Sequence, residues 1–169
     1  MVPGTGILLN NTMALFDPHP GHALSVAPGK RMTSSMAPTL VFRAGRPAFA
    51  LGLPGGLRIF ASVLQALVNL IDHGMPFPEA VEAPRMWTQG QELEVEREVP
   101  ESVRAGLAAR RHDVVPVAHV VGGMCAVAWE ADGSLTGAAC WRADGTPIGL
   151  GGGYARAGIR FWPDQRAPR

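Results

Sequence analysis

The chain has 169 residues, 47% of them hydrophobic and 17% charged, with a net charge of +1. That length supports one domain with a real core, and the composition excludes a chain that is disordered for most of its length. The near-zero charge excludes a nucleic-acid or membrane-surface partner held by electrostatics, while 21 glycines and 15 prolines argue for many tight turns rather than a helical bundle.

Taken in chain order, Met1 to Gly6 lacks the basic start and apolar run of a secretory signal. Ile7-Leu8-Leu9 reads as a short buried strand, followed by the polar pair Asn10-Asn11. Asp17-Pro18-His19-Pro20-Gly21-His22 reads as a solvated loop rather than a metal site, and Pro28-Gly29-Lys30-Arg31 as a turn. Thr39 to Arg43 and Ala48 to Gly52 are predicted strands around a turn at Gly45-Arg46-Pro47. Phe60, Leu64, Leu67 and Ile71, widened by Val63, Val68 and Leu70, predict a buried helix that stops at Gly74. This stretch is too short to span a bilayer. A short helix follows over Pro78 to Ala83, closed by Pro84.

Leu93 to Glu98 alternates apolar and acidic residues, so Glu92, Glu94, Glu96 and Glu98 are expected on one solvated strand face. Pro100 to Arg111 is a predicted surface helix with proline at its start and arginines at its end. Met124 to Glu130 and Leu135 to Arg142 flank Asp132-Gly133, a hairpin signal. A loop of just those two residues would set Cys125 opposite Cys140, so a cross-strand disulfide is geometrically open; two small buried thiols are the plainer reading. Gly149 to Gly153 turns tightly or flexes, and the Arg-rich stretch 155–169 reads as a loosely held surface strip after a domain spanning 1–154.

Two clusters carry chemistry. Ser34-Ser35-Met36-Ala37-Pro38-Thr39 places two hydroxyls side by side, suited to a carboxylate; a turn or cap is the plain alternative. Pro54-Gly55-Gly56-Leu57-Arg58 places backbone N–H groups just ahead of the long helix, suited to a developing oxyanion; a simple turn is the alternative. Together they are half of an acyl-transfer site. A nucleophile with its base is not evident. His73, His112 and His119 are isolated, and Arg58 and Arg85 are expected in structural ion pairs.

In order and spacing, over about residues 4 to 154, the chain resembles the small-subunit portion of the gamma-glutamyltransferases (gamma-glutamyltranspeptidase, glutathione hydrolase). The residues that carry this are Gly6-Ile7-Leu8-Leu9-Asn10-Asn11 with Met13, Pro28-Gly29-Lys30-Arg31, Ser34 to Thr39, and Gly52-Leu53-Pro54-Gly55-Gly56-Leu57-Arg58-Ile59. Val63-Leu64-Gln65, Asn69, Ile71-Asp72, Glu79 to Arg85 and Leu135-Thr136-Gly137-Ala138 complete the set.

The resemblance implies an α+β N-terminal-nucleophile hydrolase, an αββα sandwich of which this chain is the larger C-terminal piece. It implies acyl transfer by a threonine that becomes the first residue of the small subunit, with its own amine as base. It implies a small-molecule amide substrate, a large-subunit partner, no cofactor and no metal, and the periplasmic or extracellular setting common in the family. Position by position, Gly55 and Gly56 match the oxyanion-hole glycines, and Ser34 and Ser35 the pair that binds the donor's α-carboxylate.

Three departures matter. The family's threonine lies upstream of Gly6, only five residues into this sequence, so the chain by itself is expected to be inactive. Thr12-Met13-Ala14-Leu15 stands where the family carries acidic or amide residues, and Leu15 takes the place of the aspartate that pairs with the donor's α-amino group. Leucine cannot pair with an ammonium, so a less polar acyl group, as in the family's cephalosporin-acylase relatives, becomes a credible donor. The short segment between Phe16 and Lys30 suggests an open site. An inactive remnant or binding module is the non-enzymatic alternative.

Overall fold

The computed structural model describes residues 1–120 and 122–149 of the chain, so the strip expected over 155–169 and the end of the glycine segment lie outside the described residues. The chain divides into two compact units, Met1–Ser35 and Met36–Arg169.

In the first unit, a 3₁₀ turn at Thr12–Leu15 and an isolated bridge between Asp17 and Ser25 organise a loop-rich segment. The strand expected at Ile7-Leu8-Leu9 does not form, and these side chains are exposed. A strand is stable only when a neighbour takes up its N–H and C=O groups, and this unit offers the segment no ladder.

The second unit contains β1 (Thr39–Arg43), β2 (Arg46–Gly52), α1 (Ile59–Ile71), α2 (Phe77–Glu82), β3 (Met86–Thr88), β4 (Leu93–Glu96), α3 (Glu101–Ala109), β5 (Val114–Val117), β6 (Cys125–Trp129) and β7 (Leu135–Ala139). Strands β1-β2-β6-β7 form an antiparallel sheet; β3-β4-β5 form a smaller one in which β4 pairs antiparallel with β3 and parallel with β5. The β1–β2 turn is Ala44-Gly45, one position earlier than expected, with φ of 49° and 78°. Both residues being left-handed suits a two-residue hairpin turn.

One face of the larger sheet carries Val41, Phe49, Leu51, Ala126, Ala128 and Ala138, packed with Ile59, Val63 and Ala66 of α1 and Val81 of α2 into the main core. Pleating turns Leu40, Ala50 and Val127 to the opposite face, where they stand in register across three strands. This sheet is therefore apolar on both sides.

The structure corrects the expected orientation of α1. Its buried stripe is Ile59, Ser62, Val63 and Ala66, whereas Phe60, Leu64 and Ile71 are exposed. A helix apolar around most of its circumference leaves the choice of inner face to its neighbours. Gln65 contributes to that choice. Its amide donates to the Met86 carbonyl (2.8 Å) and accepts the Met86 N–H (2.9 Å), docking α1 against the edge strand β3.

The β6–β7 hairpin also differs. Cys125 pairs with Ala139 and Trp129 with Leu135, one residue out of the expected register. The loop is wider than Asp132-Gly133, closed by the Glu130 N–H on the Ser134 carbonyl at 2.9 Å. Both cysteines are free, Cys125 exposed and Cys140 buried.

Candidate functional site

The serine pair and the Thr12–Leu15 turn belong to the first unit. The Asn10 side-chain carbonyl accepts the Thr12 N–H at 3.1 Å and the Thr12 hydroxyl, an Asx turn that starts the 3₁₀ segment. The Leu15 carbonyl accepts the Thr33 hydroxyl at 3.1 Å. Thr33 immediately precedes Ser34-Ser35, so this bond joins the two segments expected to read the acyl donor. Leu15 and Ser35 are half-buried and Ser34 is exposed; both serines have interaction partners.

The loop between them closes on Asp17. Its carboxylate accepts the His19 N–H at 2.9 Å and meets Nδ1 of His19 (3.0 Å) and Nδ1 of His22. The His19 backbone donor first, then the two imidazoles, hold this carboxyl below its ordinary value of 3.8. The histidines thus order a loop. Among the described residues no group of three or more His, Cys, Asp or Glu side chains is arranged to hold a metal ion.

Gly55 and Gly56 lie in the second unit, between the end of β2 and α1. Gly55 has φ 149° and ψ 14°, Gly56 has φ 59°, and the Gly55 carbonyl accepts the Arg58 N–H at 3.2 Å. Two successive left-handed residues are open to glycine and costly for anything else. A Cβ on Gly56 would touch nothing within 4 Å, so the demand there is conformational and the space beyond is clear. Gly56 itself has an interaction partner.

The segment after the turn is anchored. Arg58 Nη2 donates to both Glu94 oxygens (2.9 and 3.1 Å), and its guanidinium lies 3.9 Å over the Trp87 ring. The expected ion pair of Arg58 is present. An apolar cleft of about 640 Å³ runs along the bare sheet face, lined by Leu40, Ala50, Gly52, Cys125 and Val127 among others.

A second polar cluster was not legible in the sequence. Glu96, expected on a solvated face, is fully buried. Its carboxylate accepts the Arg85 N–H (2.9 Å), the Val120 N–H (2.7 Å) and Arg142 Nε (2.7 Å), and is joined by Arg142 Nη2. A buried carboxylate survives only with a countercharge and filled lone pairs, and Arg142 with two backbone donors provides both. Glu94 serves Arg58, while Glu92 and Glu98 remain exposed.

Arg85 is also buried, but its guanidinium serves main chain: Nη1 donates to the Gly122 carbonyl (2.7 Å) and Nη2 to the Val81 carbonyl (3.2 Å). Burial, and then the nearby Arg142 charge, pull its pKa down to about 10. The Cys140 thiol fills the space beside it, accepting the Met124 N–H at 3.1 Å. The available hints were the Gly122-Gly123 doublet and the Trp141-Arg142 pair, neither of which carries a spacing that announces a role.

A model of the gamma-glutamyltranspeptidase family matches residues 1–150. The chain belongs to that family. It is 63% identical over 160 residues to the acylase ACY 1 proenzyme of a Pseudomonas species, covering 95% of this chain and 29% of that protein. It is 36% identical over 152 residues to the glutathione hydrolase proenzyme of Bacillus subtilis, covering 89% of this chain and 26% of that protein. This member of the family thus spans under a third of the length of these relatives.

Among solved structures, a gamma-glutamyltranspeptidase of Helicobacter pylori superposes with a TM-score of 0.76 at 33% identity, covering 84% of each chain. A cephalosporin acylase of Bacillus halodurans superposes with a TM-score of 0.81 at 29% identity, covering 90% of this chain and 29% of that one. The fold is α+β, that of the N-terminal-nucleophile hydrolases, as the family resemblance implied.

Proposed function

We propose that this gamma-glutamyltranspeptidase-family chain is the acyl-recognising and oxyanion-stabilising part of an enzyme that transfers an acyl group from a small amide to water or to an amine. The carrying observation is the Gly55-Gly56 turn, whose two left-handed residues open a 3₁₀ turn leading directly into α1. Backbone N–H groups at such a helix start favour the negative oxygen of a tetrahedral intermediate. Ser34 and Ser35 are assigned to the donor's carboxylate, and Thr12 and Leu15 to the position where the family reads the donor's α-amino group. The threonine nucleophile comes from polypeptide outside residues 1–150, as does the partner that covers the bare sheet face.

A specific observation favours a less polar donor over a glutamyl one. Glutaryl and γ-glutamyl groups share the terminal carboxylate and differ by one α-ammonium. Leu15 offers that ammonium no counter-charge and is itself half-buried. The higher identity to an acylase proenzyme than to a glutathione hydrolase proenzyme points the same way.

The test is made in the complete enzyme, with glutaryl and γ-glutamyl p-nitroanilides compared side by side. Leu15→Asp is expected to raise the γ-glutamyl to glutaryl ratio of kcat/KM by about tenfold, corresponding to about 1.4 kcal/mol of differential binding. An unchanged ratio removes Leu15 from donor selection. Wild-type kcat in Gly56→Ala would refute the oxyanion assignment.

A further inference from the structure

The Gly55 N–H and the Pro54 carbonyl are two ends of one peptide group. No peptide bond in the described residues is cis, so the two point in opposite directions from the same plane. Whatever sets the Pro54 carbonyl therefore aims the Gly55 N–H. The structure shows what lies against that carbonyl. Gly122 is buried at φ 118°, and a Cβ there would overlap the Pro54 carbonyl oxygen and come to 2.5 Å from Leu53 Cδ1. The neighbouring Gly123 is pressed from the other direction, since its Cβ would overlap that of Ala143.

Gly122 is held there. Its carbonyl accepts Arg85 Nη1, and two residues earlier the Val120 N–H is fixed by Glu96. Glu96 also holds the Arg85 N–H and pairs with Arg142, whose Nη2 reaches the Ala83 carbonyl at 3.0 Å. The segment ahead of β6 is thus held at Val120 and at Gly122 by buried charge, with Gly122 seated against the Pro54–Gly55 peptide.

We propose that Gly122 is a positioning residue for acyl transfer: clamped by Arg85, it sets the Pro54–Gly55 peptide plane and so the direction in which the Gly55 N–H meets the oxyanion. This rests on the oxyanion reading of Gly55-Gly56 given above. Gly122 touches no substrate, so misaiming the donor affects the charged transition state more than the neutral bound amide.

The experiment measures kcat and KM for a p-nitroanilide donor in the complete enzyme. Gly122→Ala is expected to lower kcat roughly a hundredfold with KM kept within about threefold, the scale of losing one oxyanion donor. Leu53→Ala/Gly122→Ala removes the side-chain overlap but leaves the carbonyl overlap, so kcat stays low. Recovery of kcat in that double variant, wild-type kcat in Gly122→Ala, or kcat and KM worsening together would each overturn the proposal.

Should Gly122→Ala fail to accumulate, Arg85→Lys carries the test, because an ammonium cannot hold the Gly122 and Val81 carbonyls in the same fork. A lower kcat at unchanged KM supports the proposal, and an unchanged kcat ends it. Gly56→Ala separates the two claims. Its wild-type turnover would sink the oxyanion reading itself, whereas an impaired Gly56→Ala beside an unimpaired Gly122→Ala would sink the positioning role alone.

Discussion

At the scale of single residues, charge decides most. Glu96 and Arg142 form an ion pair with neither side chain exposed to solvent. Removing one member strands the other, so Glu96→Gln is expected to destabilise the fold by about 3–5 kcal/mol, read from urea or thermal unfolding. A loss below about 1 kcal/mol would mean that water reaches the cluster. Asp17 is the half-buried counterpart. Its folded pKa lies below 3.8, so the folded state binds fewer protons than the unfolded one. Its contribution is therefore present above 3.8 and disappears as pH falls through the lower, folded value. Amide resonances of Ser25 and Val26 should hold their positions at pH 5 and drift together below about 4, and Asp17→Asn should abolish that drift. A drift that survives Asp17→Asn would assign it to another group.

At the scale of elements, propensity placed the pieces and packing oriented them. The strands at Thr39–Arg43 and Arg46–Gly52 and the helices at Phe77–Glu82 and Glu101–Ala109 follow their turn and proline signals closely. The hairpin shows where such signals stop. Asp132-Gly133 marks a reversal but leaves open a slip of one position, and the slip decides whether two thiols face each other. With Cys125 opposite Ala139, thiol titration without reductant should find two free thiols after unfolding. In the native state Cys125 alone should react, because Cys140 is enclosed between Arg85 and Met124. A single thiol or none in the unfolded protein would contradict the register.

At the scale of the whole molecule, the larger sheet carries apolar side chains on both faces, and α1 turns Phe60 and Leu64 outward. Monomeric proteins seldom leave such surfaces bare. Within this family the bare face is where the remaining polypeptide is proposed to pack. Leu40→Glu is then expected to block assembly of the complete enzyme while leaving this chain's unfolding midpoint nearly unchanged, since Leu40 is 50% exposed here. Co-purification checks the first part and thermal unfolding the second. Normal assembly of Leu40→Glu would show that this face is not the interface.

What the sequence determined by itself was local. A glycine doublet ahead of a long apolar run reads as a turn before a helix, and glycine leaves both signs of φ open to it; paired hydroxyls read as donors for a carboxylate, or as a turn or cap. Even Leu15 was legible as a side chain unable to meet an ammonium. Tertiary structure alone decided where charge could be buried, which stripe of α1 faces inward, and whether Ile7-Leu8-Leu9 finds a ladder. Glu96 reads as one more acidic residue in an alternating strand until Arg142, 46 positions away, is brought against it. Conformational preference is a property of neighbouring residues, whereas the cost of a buried charge depends on partners that only the folded chain brings together.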